Sequence, residues 1–144
     1  MSLASWKAEF YPVTASRIKT VLGAVKHSLR KWKGLRAAAL RRHGVEDLGG
    51  YVRQPDNPLL KPFPINDSTC ALCRILDAGD PRPVQWRDCQ RCALTQARGG
   101  CPCTAPAPEE PEDRSPWLMF TRDGDPEPMI KLLEKALRNL KRKL

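Results

Sequence analysis

Apolar residues begin to recur at steps of three and four from about residue 18, where Ile18, Val21, Leu22, Val25, Leu29 and Trp32 follow one another. That period is the signature of an amphipathic helix, because residues so spaced share one face. Gly34 weakens the helix. The stretch 35–43 has room for another turn or two, and Gly44 stands where a C-terminal cap is expected after Arg41, Arg42 and His43. The same period returns at the other end, in Ile130, Leu133, Leu137, Leu140 and Leu144, with Met129, Leu132 and Ala136 beside them. Asp125, Pro126 and Glu127 supply the start signals of that C-terminal helix, and Lys141, Arg142 and Lys143 suit the carbonyl end of its dipole. Between the helices the pattern is irregular. Gly49, Gly50, Pro55, Pro58, Pro62 and Pro64 punctuate it, leaving Tyr51-Val52-Arg53 and Phe63-Pro64-Ile65 as short strands able to pair. Trp117-Leu-Met-Phe120-Thr121 reads as a further strand, followed by a turn at Asp123-Gly124. Residues 1–16, with Trp6, Phe10 and Tyr11, read as an extended arm that pins its aromatics onto the core.

Composition sharpens this outline. The chain has 144 residues, of which 41% are hydrophobic, with 14 Pro and 9 Gly, a balance that predicts a loop-rich but globular single domain, 1–144. No stretch approaches the roughly 18 apolar residues that cross a bilayer, and the N-terminus lacks the apolar run of a signal peptide. The expectation is a cytoplasmic protein without a membrane partner. The formal net charge is +9, and it is unevenly spread. Residues 1–60 carry 11 basic and 4 acidic side chains, whereas residues 105–144 carry 8 of each. From residue 10 to residue 45 there is no acid at all. At about 100° per residue, Lys19, Lys26, Arg30 and Lys33 fall within about 60° of one another on a helix. With Lys31, Arg36, Arg41 and Arg42 they form a candidate face for phosphates or for an acidic partner.

Candidate chemistry lies in the cysteines. Cys70-Ala-Leu-Cys73 and Cys89-Gln-Arg-Cys92 stand fifteen residues apart, and Cys101-Pro-Cys103 follows. C-x2-C-x15-C-x2-C is the spacing of a four-thiolate zinc site built from two knuckles, each gripping two corners of a tetrahedron. A middle segment so poor in regular structure needs a cross-link, and structural zinc contributes on the order of 10 kcal/mol to folding. The predicted ligands are Cys70, Cys73, Cys89 and Cys92, with Cys101 and Cys103 as substitutes; disulfides, an iron–sulfur cluster and unligated thiols are the alternatives. Catalytic zinc keeps an open position and a nearby proton-moving group. Four thiolates close the shell, His27 and His43 are the only histidines, and no phosphate loop or nucleophile elbow is present, so the reading is of a protein with no catalytic residues and no small-molecule substrate.

The predicted fold is therefore small, loop-rich α+β. It comprises a basic helical segment (1–44), an irregular zinc-knuckle segment with short strands (45–103), a Pro- and acid-rich connector (104–116), and a strand with an amphipathic helix (117–144). Four strings together, Trp6-Lys-Ala-Glu-Phe-Tyr-Pro-Val13, His27-Ser-Leu-Arg-Lys-Trp-Lys-Gly-Leu35, the paired cysteines 70/73 and 89/92, and Gly124-Asp-Pro-Glu-Pro-Met-Ile-Lys-Leu-Leu-Glu134, resemble a family of small uncharacterised proteins of bacteriophages and prophages. The resemblance spans most of the chain and implies a phage protein at work in the cytoplasm of a bacterial host. Two functions follow as expectations. One is a zinc-stabilised, non-catalytic protein that contacts nucleic acid through residues 19–42. The other is a counter-defence or host-takeover protein that binds and inhibits a host protein or nucleoprotein complex, with Trp86 or Trp117 as an anchor.

Overall fold

A computed structural model of the chain describes residues 1–77, 92–99, 103–104, 112 and 114–143. The fold is small α+β, with helices that pack chiefly around two of their number, Val21–Lys33 and Glu127–Arg142, and a three-stranded antiparallel sheet. The expected extended arm is instead a helix, α1 (Leu3–Phe10). Ser2 caps it, accepting from the Ser5 N–H at 3.1 Å while the Ser5 hydroxyl accepts from the Ser2 N–H at 2.9 Å. This reciprocal box satisfies donors that a helix start leaves unpaired. Leu3, Trp6 and Phe10 then share one face, and the aromatics do pin the segment to the core. Trp6 is fully buried and donates its indole N–H to the Gly34 carbonyl at 2.8 Å.

Helix α2 (Val21–Lys33) begins at Thr20, whose hydroxyl accepts from the Gly23 N–H. It buries Ala24, Val25, Ser28, Leu29, Lys31 and Trp32. Val21, expected on the apolar stripe, lies in the first turn and stays 43% exposed. A short α3 (Ala37–Arg42) follows, and Gly44, at φ 64°, takes the left-handed conformation that lets the chain leave it. The sheet runs β1 (Glu46–Asp47), β2 (Tyr51–Arg53) and β3 (Phe63–Pro64) in that order, with Val52 opposite both Asp47 and Phe63. The two predicted strands thus pair as expected, and Val52 and Phe63 are buried, with the Phe63 ring against those of Trp6 and Tyr11.

Helices α4 (Ala71–Asp77) and α5 (Ala93–Ala97) flank the segment that carries Cys89, and α6 (Pro116–Asp123) precedes α7 (Glu127–Arg142). The expected strand at 117–121 is thus corrected to a helix. Pro116 occupies its first turn, where a missing N–H costs nothing, and Gly124 ends it at φ 69°. The helical spacing turns Trp117 and Phe120 together onto Trp32, whose ring centroid lies 4.7 Å from that of Phe120. Helix α7 packs against α2, α5 and α6, burying Met129, Ile130, Leu132, Leu133 and Ala136, while Leu137 and Leu140 are half-buried at the edge. The Asp125 carboxylate accepts from the Glu127 N–H at 3.0 Å, as the start signals predict. Leu144 and most of the expected Pro- and acid-rich connector lie outside the described residues.

Candidate metal centre and basic face

Lys31 ties the two candidate sites together. The sequence assigns it to the phosphate-binding face, yet it is 1% exposed and belongs to the interior. Its ammonium donates to the Thr69 carbonyl at 2.8 Å and reaches the Thr69 hydroxyl at 3.4 Å. Thr69 is itself held, donating to the Pro64 carbonyl at 2.9 Å. The physical reason for the correction is the helical wheel: Ala24, Ser28, Lys31 and Leu35 follow one another at steps of three and four, so Lys31 sits on the inward arc. Burial pushes its pKa down, and the charges of Cys70, Cys73 and Cys103 work against that shift.

Those three cysteines line one cavity of about 290 Å³, together with Lys31, Ser28 and Asn66 and a wall that includes Trp32, Leu94 and Trp117. Cys70 immediately precedes α4, and its sulfur accepts the Cys73 thiol hydrogen and the backbone N–H groups of Leu72 and Cys73. These bonds favour a Cys70 thiolate and hold its pKa far below the usual thiol range, with Lys31 adding a positive charge nearby. Cys73, the donor in that pair, is driven the other way by the same bond and by burial, and it also feels Cys103 and Cys92. Cys92 is buried at the start of α5, and Cys70, Cys73, Cys92 and Cys103 are all free of disulfides. Cys89 and Cys101 lie outside the described residues. Among the described residues no group of three or more His, Cys, Asp or Glu side chains is placed to hold a metal ion. Two features nevertheless fit one. The donor set is soft thiolate, and the Ser28 hydroxyl, on a residue 1% exposed, has no hydrogen-bond partner.

The remaining basic residues do stay outside. Lys19, Lys26, Arg30, Lys33, Arg36, Arg41 and Arg42 are exposed. Their freedom differs. Arg36 pairs with Glu127 at 2.6 Å, Arg42 with Glu9 at 2.9 Å, Arg30 donates to the Glu9 carbonyl and Lys19 to that of Ser16. Lys26, Lys33 and Arg41 make no ion pair with a described residue. Helix α7 adds a row that the sequence reading passes over: Lys131, Lys135, Arg138 and Arg142 are exposed and fall within about 60° on its wheel. The signal was their spacing of four, three and four.

His43 is packed, not ligating. Its Nδ1 lies 2.8 Å from the Ser5 hydroxyl and its Nε2 lies 2.5 Å from the Glu9 carboxylate. The Ser5 hydroxyl is already engaged in the α1 cap, so this trio serves to clamp α1 to the end of α3. The Arg42 guanidinium, then His43, hold the Glu9 carboxyl below the usual carboxylate range. His27 uses Nε2 toward the Val13 carbonyl at 2.6 Å, and its Nδ1 is buried without a partner. Trp117 packs against Trp32 and Phe120, while Trp86 lies outside the described residues. Among the described residues no helix is long and apolar enough to cross a membrane. No family model matches the chain, and no curated protein or solved structure matches it significantly.

Proposed function

We propose that this protein is a non-catalytic, zinc-stabilised binding protein that contacts nucleic acid through the outward face of α2. The observation that carries the reading is the exposure of Lys26, Arg30 and Lys33 on the side of α2 opposite its buried arc, in a stretch without a single acid. Phosphate contacts need such a row, since they draw affinity from charge and counterion release and not from base edges. The face is narrower than the eight residues of the sequence reading. Lys31 is inside, and Arg36 and Arg42 already spend their charge on Glu127 and Glu9.

Zinc enters the proposal as the staple of the middle segment, held by thiolates of the Cys70–Cys73 knuckle and of the cysteines that follow. Bound there, it supplies folding energy and no open coordination position. In the phage setting that the resemblance implies, the polyanion is phage or host nucleic acid.

Fluorescence anisotropy with labelled duplex and single strands across a salt series tests the reading. Affinity should fall with salt at a log–log slope of roughly 0.9 per neutralised duplex phosphate, and the Lys26→Glu/Arg30→Glu/Lys33→Glu chain should show a slope shallower by roughly two or three. A parent chain with no salt-sensitive binding at low ionic strength refutes the nucleic-acid reading and turns the face toward an acidic host protein.

A further inference from the structure

The cation row of α7 has a groove beside it. Lys131, Lys135, Arg138 and Arg142 are exposed, and none makes an ion pair with a described residue. The two acids of the helix act elsewhere, since Glu127 pairs with Arg36 and Glu134 adds its charge beside the same guanidinium. Lys131 lends its charge to Glu127, so Lys135, Arg138 and Arg142 are the uncompensated part of the row. From residue 131 to residue 142 the row spans about 16 Å at about 1.5 Å per residue, which covers several nucleotide steps of about 3.4 Å along a strand. The groove lies between α5 and α7 and has a volume of about 330 Å³, at the small end of the roughly 300–1,000 Å³ of ligand pockets. Ala136 and Leu140 give it apolar surface, and Gln96, Asn139, Arg142 and Lys143 line it as well. Neither the Gln96 nor the Asn139 side-chain amide bonds to a described residue. Arg142 belongs to both groove and row, and Asn139 stands about 60° from it on the wheel. Apolar surface for the face of a base, amides for its edge and a guanidinium for its phosphate are together the chemistry that recognises a nucleotide. A base stacked and paired in a duplex cannot enter a groove between two helices, whereas a base of a single strand turns into it freely.

We infer that α7 is a second nucleic-acid contact, one for single strands: Lys135, Arg138 and Arg142 hold phosphates along the helix, and the groove between α5 and α7 takes one unpaired base on the amides of Gln96 and Asn139. The inference rests on the nucleic-acid reading above for the class of polyanion and adds a surface to it. The α2 row meets phosphates of either form, while the groove admits only an unpaired base.

Fluorescence anisotropy of the full chain tests it, with a labelled mixed-sequence single strand, an abasic strand of the same length and a duplex, each across a salt series. Lys135→Gln/Arg138→Gln/Arg142→Gln should flatten the log–log salt slope on the single strand by roughly two, at about 0.7 per phosphate, and leave the duplex slope nearly unchanged. The parent should hold the mixed-sequence strand on the order of 10-fold tighter than the abasic one. Gln96→Ala/Asn139→Ala should abolish that difference and keep the parent's salt slope. An unchanged single-strand slope in the triple variant overturns the α7 row, and a parent that holds abasic and base-bearing strands equally overturns the groove. A duplex slope that flattens as much as the single-strand slope overturns the assignment to single strands. If the triple variant does not fold, Arg138→Gln alone decides, by a slope shallower by roughly 0.7 or by none. In each of these cases the α2 face still stands on its own charge-reversal variant, whereas a parent that binds none of the three probes overturns the nucleic-acid reading itself.

Discussion

Replacing Gly34 with alanine sets local propensity directly against packing. Gly34 follows α2 with φ −70°, an ordinary right-handed conformation, so nothing in its own backbone demands glycine. Judged by propensity alone, alanine there should stabilise by about 0.5–1 kcal/mol. The surroundings reverse the sign. A Cβ at Gly34 meets the Phe10 ring at 2.4 and 2.6 Å and the Phe10 Cβ at 2.8 Å, and these are the root of that side chain, which has little room to swing. Gly34 is also where α1 docks, since its carbonyl receives the Trp6 indole. Overpacking of this kind costs about 1–3 kcal/mol. The expected net result is a loss of about 1–2 kcal/mol, which lowers the melting temperature by roughly 3–8 °C for a domain of this size. Urea titration of Gly34→Ala, Phe10→Ala and the double variant measures it. The double variant should be more stable than the two single losses would sum to, because removing the ring removes the clash. Gly34→Ala that is as stable as the parent, or more so, refutes the assigned docking of α1.

Other expectations follow from burial and charge. Leu133 is fully buried on α7, so Leu133→Ala should cost about 2–5 kcal/mol in chemical denaturation, whereas the half-buried Leu137→Ala should cost only roughly 1 kcal/mol; equal losses contradict the assigned α7 face. His27 is held below its ordinary pKa, first by burial, and its Nδ1 has no acceptor for a second proton. The unfolded chain therefore binds that proton more readily, and the stability this group contributes is present above about pH 6.5 and lost as pH falls through that range. Stability measured at about pH 8 and about pH 5.5 should differ less in His27→Gln than in the parent. Chelator under reducing conditions should lower the melting temperature and expose the chain to protease, and an unchanged melt counts against the zinc proposal.

Local rules reach far into this chain. The three- and four-residue periods of α2 and α7, the Asp125 bond at the start of α7, the glycine exits at 44 and 124, and the pairing of 51–53 with 63–64 were all legible, because each depends on residues close in sequence or on strongly directional backbone constraints. The exposed row of Lys26, Arg30 and Lys33 on α2 was legible for the same reason. Tertiary structure decided what remained. Trp117 and Phe120 have β propensity and read as a strand, but the partner they meet is Trp32 and not a sheet edge, so packing favours α6. Residues 1–10 show too short a pattern to declare a helix until Trp6 finds the Gly34 carbonyl. Lys31 has the composition of a surface residue and the angular position of a core one, and which prevails depends on what lies across from it. Only the fold brings Thr69 and the sulfurs of Cys70, Cys73 and Cys103, distant in sequence, to the place where they offset the cost of burying a charge.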